Sequence, residues 1–242
     1  MAPGSEYGHS GSHHHRDLQG GGVRAAVFGV SDGLVTNVSL VLGMAGASPG
    51  ASIVRLAGIA GLVAGSFSMA AGEYLSMTAQ RELQQRELDV ERQALRDNPG
   101  GEAAELRAMY VDRGIEPAVA DEMVKAVMGD PDLALETHAR EELGISAESL
   151  GSPWQAAAVS FVTFALGAFV PLAPWFFASG TAAIVLSVVA GGAASLAVGA
   201  VLARFTERSV VVSAARQLLV TSVAAAVTYG VGRVIGAGTG VD

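Results

Sequence analysis

Apolar residues fall along this chain in five long runs, at about 24–47, 53–79, 154–177, 180–203 and 211–236. At 1.5 Å per residue, each run is long enough to cross a hydrocarbon layer of roughly 30 Å as an α-helix. None shows the short apolar/polar alternation of a half-buried strand. The pattern predicts an all-α integral membrane protein with five transmembrane helices. Residues 1–22, MAPGSEYGHSGSHHHRDLQGGG, read as a disordered polar tail that carries His13–His15. They lack the apolar core and cleavage site of a secretory signal. Trp154, after Pro153, and the PWFF that follows Pro171 are aromatic residues suited to opposite membrane–water interfaces.

The second run continues past the membrane. From Glu73 to Leu95 there is no glycine or proline, so one helix from about 53 to 95 is predicted. It would be ~60 Å long, with half of it projecting from the bilayer. The stretch DNPGG (97–101) stops it, and three amphipathic helices follow at about 102–112, 117–128 and 131–143. Pro117 and Pro131 sit at first-turn positions, where proline is tolerated. Leu106, Met109 and Tyr110, and Val124, Val127 and Met128, have the three-and-four spacing of packed faces. The chain therefore divides into the tail, helices one and two (23–79), an inserted helical domain (80–152) and helices three to five (153–242).

Charge sharpens this division. Of 23 acidic and 15 basic residues, 17 and 8 respectively lie between 80 and 152, so the insert holds the whole negative excess of a chain whose net charge is −8. No basic face is available for nucleic acid, and an acidic domain suits cations. The chain has no cysteine, which excludes disulfides and thiolate metal sites. Its 31 glycines are the small-residue bias of packed membrane helices. Placing the tail and the insert in the cytoplasm puts Arg16, Arg24, Arg204, Arg208 and all eight basic residues of the insert inside, leaving Arg55 and Arg233 near the outer ends.

Within the first run, VFGVSDGLVTNVSLVLGMAGA, stands an aspartate, Asp32. A carboxylate is expensive in a bilayer and by default marks an ion or proton pathway. The plainer role is a helix–helix hydrogen bond or a pairing with Arg216. Asp32, Thr36, Ser39 and Gly43 form one polar, small-residue stripe, and Gly29 and Gly33 permit close helix approach beside it. On the second run Met69, Glu73 and Met77 lie along one line. The insert offers carboxylates at helical spacing: Glu87 with Glu91, Glu102 with Glu105, and His138 with Glu141 and Glu142. Oxygen ligands with one imidazole suit divalent ions such as Mn²⁺ and Fe²⁺. Singly, each glutamate is an ordinary solvated surface residue; a site requires the helices to fold back beside one another. No EF-hand loop, HExxH motif, nucleophile elbow or phosphate loop is present, which argues against an enzyme.

Four stretches together, FGVSDGLVTNVSLVLGMAGA, AGLVAGSFSMAAGEYLSMTAQRE, EELGI and SPWQAAAVSFVTFALGAFVPLAPW, resemble the vacuolar iron transporter family over nearly the whole chain after residue 22. The resemblance implies a homodimeric, proton-coupled exporter of Fe²⁺, and often Mn²⁺, with a cytoplasmic metal-binding domain between the second and third spans. It implies that Asp32, Met69 and Glu73 line the translocation path, and that Glu91, Glu102, Glu105 and Glu142 hold ions. No prosthetic group is implied; the metal is cargo. Two departures stand out. Gln84, Gln85 and Ala94 occupy positions where plant-like members carry more glutamate, and His138 and Ala139 precede EELGI where a methionine pair is expected. The bacterial character of the sequence points to the plasma membrane. Two other classes stay open: a membrane-anchored metal sensor or scaffold without transport, and a passive cation channel.

Overall fold

The computed structural model describes residues 21–47, 50–144 and 151–239, so the histidine-bearing tail lies outside it. Every regular element among these residues is helical. They are α1 (Gly21–Gly46), α2 (Ala51–Asp97), α3 (Pro99–Asp112), α4 (Pro117–Met128), α5 (Pro131–Glu141), α6 (Pro153–Leu172), α7 (Gly180–Thr206) and α8 (Val210–Thr239). Five of them, α1, α2, α6, α7 and α8, are long and apolar enough to cross a membrane. α1 takes in the last two residues of the expected tail.

α2 is a single helix of 47 residues, roughly 70 Å end to end. The break after it is narrower than DNPGG suggests. Only Asn98 leaves helical geometry, at φ −140°, and its side chain accepts a hydrogen bond from Gly101 N at 3.1 Å. Pro99 supplies the first residue of α3, so the two glycines fall inside its first turn rather than in a loop. α5 is capped by Asp130, which accepts from Asp132 N and Leu133 N, and ends at Glu141, two residues short of the expected end. Leu106, Tyr110, Ala120 and Val124 make the buried core of the insert, and Arg107 pairs with Asp121 to tie α3 to α4.

In the membrane part, α1 is the central helix, packed against α6, α8, α2 and α7. Leu34, Val38, Val41 and Leu42 are buried, as the stripe analysis expects of residues turned away from Asp32. α1 and α6 run parallel and meet backbone to backbone. A Cβ on Gly33 would fall inside the van der Waals radius of the Phe164 carbonyl, and one on Gly167 would strike the carbonyl of Val30. Asn37 reinforces the contact, its Nδ2 donating to Ala168 O at 2.6 Å. On the other side Gln217 Nε2 of α8 donates to Ser31 Oγ at 2.8 Å.

A proline inside α6, Pro171, removes one helical donor, and the helix tightens into a 3-10 turn at Ala173–Phe176. The aromatic residues of this turn divide. Trp175 is buried and donates from Nε1 to Ser187 Oγ at 2.9 Å, which in turn donates to Pro171 O at 2.7 Å. Phe176 and Phe177 are exposed, as is Trp154 at the other end, in the manner expected of interfacial rings. Leu56, Phe67, Leu166, Val211 and Val234 are exposed apolar residues on the outer surface of this bundle, in keeping with contact to lipid rather than water.

The α1–α6 contact predicts an asymmetric response to added methyl groups. Gly33→Ala should destabilise the folded protein in detergent by about 1–3 kcal/mol through overpacking. Gly72→Ala, where a Cβ meets nothing within 4 Å, should instead stabilise α2 by about 0.5–1 kcal/mol. Thermal unfolding of the two variants side by side checks this; equal effects would mean that the close approach carries no weight.

Candidate metal centre

Three helices, α2, α3 and α5, bring five ligand-type side chains to one place in the insert. Glu91 comes from the far third of α2, Glu102 and Glu105 from the start of α3, and His138 and Glu142 from the end of α5. Nδ1 of His138 lies 3.2 Å from Glu91 Oε1 and 3.9 Å from Glu102 Oε2. One ligand atom from each of Glu91, His138 and Glu142 falls within 4.8 Å of the others, the spacing from which one ion can be held.

The buried atoms at this point lack partners. His138 is completely buried and Glu91 is 7% exposed, yet Glu91 Oε1 and both imidazole nitrogens make no hydrogen bond. Such groups normally find a partner, because a buried unpaired donor or acceptor carries its full desolvation cost. Burial pushes the Glu91 carboxyl up to about 7, with further contributions from the negative charges of Glu142, Glu102 and Glu105. Burial likewise raises Glu142, helped by Glu105 and Glu102 and opposed by His138. A divalent cation relieves both terms at once: it completes the coordination of the orphaned atoms and neutralises the repulsion.

The remaining sequence candidates fall elsewhere. Glu141, expected among the ligands, is engaged by Arg113 from the end of α3, a pairing that holds the last turn of α5 against α3. Burial, followed by the charge of Glu141, raises the hydroxyl of Tyr110 beside this pair. Sequence reasoning missed Arg113 because a separation of 28 positions from Glu141 gives no local signal. Glu87 is half-buried one turn before Glu91 and is not part of the three-residue group.

In the membrane part, Asp32 is exposed on α1 and accepts a hydrogen bond from Thr36 Oγ1 at 3.3 Å. It forms no ion pair with Arg216 among the described residues, so that plainer role is not realised within one chain. Its neighbours explain the exposure. Ser31 faces α8 and Gly33 faces α6, which leaves Asp32 in the gap between those helices. Gly58 packs on Val41, and Gly61 on Asn37 and Leu40, so α1 and α2 are antiparallel. That register sets Asp32 level with residues 66–69, where Met69 is half-buried; Glu73 is half-buried one turn further along α2. Asn37, buried beside this register with Oδ1 unpaired, is a polar residue that the sequence reading passed over. Its signal was present: an amide inside an apolar run, five positions after Asp32.

The VIT family profile matches residues 23–233, nearly all of the helical architecture described above. The chain belongs to the VIT family. Vacuolar iron transporter 1 of Oryza sativa subsp. japonica is 32% identical over 231 residues, covering 93% of this chain and 92% of that protein. Vacuolar iron transporter 1 of Eucalyptus grandis is 33% identical over 214 residues, covering 88% of this chain and 86% of its own length. The vacuolar iron transporter of Acanthamoeba castellanii is 38% identical over 152 residues, or 63% of this chain and 54% of that protein. The resemblance seen in the sequence thus holds over the membrane helices and the insert together, and these relatives are iron transporters by name.

The raised Glu91 carboxyl has a consequence for the metal-free protein. Between pH 4.5 and about 7 the folded state keeps a proton that the unfolded state releases. The resulting stability is fully present below 4.5 and is lost as pH rises through 7. Amide exchange across α3–α5 in chelator-treated protein, corrected for intrinsic rates, should therefore show opening becoming easier from pH 5 to pH 8. Glu91→Gln should flatten that trend, and a trend of opposite sign would contradict the burial of Glu91.

Proposed function

We propose that this VIT-family protein is a proton-coupled exporter that moves Fe²⁺, and Mn²⁺ as a secondary ion, out of the cytoplasm. The observation that carries the reading is the convergence of Glu91, Glu102, Glu105, His138 and Glu142 on orphaned, buried donor atoms, on a helix continuous with a membrane span. The acidic insert gathers cations from the cytoplasm and raises their concentration near the membrane entrance. The ion then passes to a site made by Asp32 and Met69, with Glu73 at its approach. Protons arriving from the opposite side neutralise Asp32 or Glu73, which lowers their hold on the metal and couples the two fluxes.

The Asp32–Thr36 face is exposed among the described residues, and the reading takes its cover to be a second copy, so that the path is shared across a homodimer. The basic residues place the tail and the insert in the cytoplasm. The relatives are vacuolar by name; the plasma membrane proposed for this chain rests on its sequence character, and in both settings metal leaves the cytoplasm.

The test is metal uptake into proteoliposomes, with Fe²⁺ and Mn²⁺, with and without an imposed proton gradient. Wild-type protein should show gradient-driven uptake, and Asp32→Ala should fall to the level of empty vesicles. Flux indifferent to the gradient would make the protein a channel. No flux from a protein whose insert still binds metal would make it an anchored sensor.

A further inference from the structure

The imidazole at the centre of the insert is the one nitrogen ligand in a group otherwise made of carboxylates. His138 has no exposed surface, and the ring is held by the buried face of α5, where Ala134 and Ala139 are its buried companions. A buried core histidine normally satisfies at least one ring nitrogen through a protein hydrogen bond. Neither nitrogen does so here, although Nδ1 lies 3.2 Å from Glu91 Oε1 and 3.9 Å from Glu102 Oε2. The Arg113–Glu141 pair, one turn away, fixes the end of α5 and keeps Glu141 from entering the cluster as another oxygen ligand. The result is a mixed nitrogen–oxygen donor set in which His138 and Glu91 are buried and Glu142 is exposed.

Carboxylates alone are a poor filter. An all-oxygen site suits Mg²⁺, Ca²⁺ and Mn²⁺, and Mg²⁺ demands near-ideal octahedral geometry and gives up its waters reluctantly. An ion held between Glu91 and Glu142 meets the buried imidazole of His138 as its nearest nitrogen donor. First-row ions gain from that ligand in the order Mn²⁺ < Fe²⁺ < Co²⁺, with Zn²⁺ also well suited to imidazole.

We propose that His138 is the selectivity-determining ligand of the insert. It commits the site to nitrogen-accepting ions, Fe²⁺, Co²⁺ and Zn²⁺, over Mn²⁺, and excludes Mg²⁺. This rests on the reading of the insert as a metal-capture site and narrows the ions it takes.

The experiment uses full-length protein purified in detergent, loaded with Co²⁺ or Mn²⁺ in the presence and absence of excess Mg²⁺. Pulsed EPR of the Mn²⁺-loaded wild type should show a ¹⁴N coupling from a directly bound imidazole, and His138→Gln should lose it. The other four histidines lie between residues 9 and 15 and are present in both proteins, so a coupling that survives in the variant belongs to the tail and overturns the proposal. In binding competition, His138→Glu should lower the preference for Co²⁺ over Mn²⁺ at least ~10-fold, the lower end of what losing even a residue behind a ligand costs, and should admit Mg²⁺. Bound metal with no ¹⁴N coupling in the wild type would make the site all-oxygen and His138 a packing residue. No bound metal at all in the wild type would instead overturn the capture reading itself, which separates the two failures.

Discussion

The close backbone contact between α1 and α6 is the constraint around which the membrane part is arranged. In lipid there is no hydrophobic gain in bringing two apolar helices together, so packing and interhelical hydrogen bonds must do it. Gly33 and Gly167 let the two backbones touch, and Asn37 adds a hydrogen bond to Ala168 O. With α6 on one side and α8 on the other, α1 has one face left over. Asp32 and Thr36 lie on that face because they stand between Ser31 and Gly33, whose partners are already taken. The exposure of the intramembrane carboxylate is thus a consequence of where two glycines permit contact.

The insert works by the opposite principle. Its cluster gathers like charges that repel, and burial raises the Glu91 and Glu142 carboxyls further. Such a group does not stabilise the metal-free fold. It is held together by features around it: the apolar core of Leu106, Tyr110, Ala120 and Val124, and the Arg107–Asp121 and Arg113–Glu141 pairs. The surface ion pairs contribute little energy each, but they settle which side chains reach the cluster. α2 joins the two halves, since one uninterrupted helix carries Met69, Glu73 and Glu91. Anything that moves Glu91 along the helix axis is transmitted to the membrane part without passing through a loop.

The VIT-family profile spans the membrane helices and the insert alike, and two features of the insert shape its donor set. Ala94 and the glutamines at 84 and 85 thin the carboxylates along α2, so the cluster depends on Glu91 as the one ligand that α2 contributes. His138 replaces an expected thioether by an imidazole at the most buried point of the site.

The membrane helices, their number, and the long projecting helix were legible in the sequence, because hydrophobic length is a local property that the bilayer reads directly. The helix starts at Pro117 and Pro131 were legible as well, though Asn98 with Pro99 made a one-residue break out of what reads as a five-residue stop. Among candidate ligands, the chain itself marks every glutamate alike. Helical spacing sets Glu141 and Glu142 equally beside His138, and only the fold, through Arg113, draws one aside and leaves the other in the cluster. Trp175 is likewise indistinguishable from Phe177 by position, yet one is buried against Ser187 and the other is exposed. The difference is physical. Span length, periodicity and capping depend on residues a few positions apart, whereas a ligand set depends on which helices meet, and that is decided by packing and ion pairs between residues that the chain holds far apart.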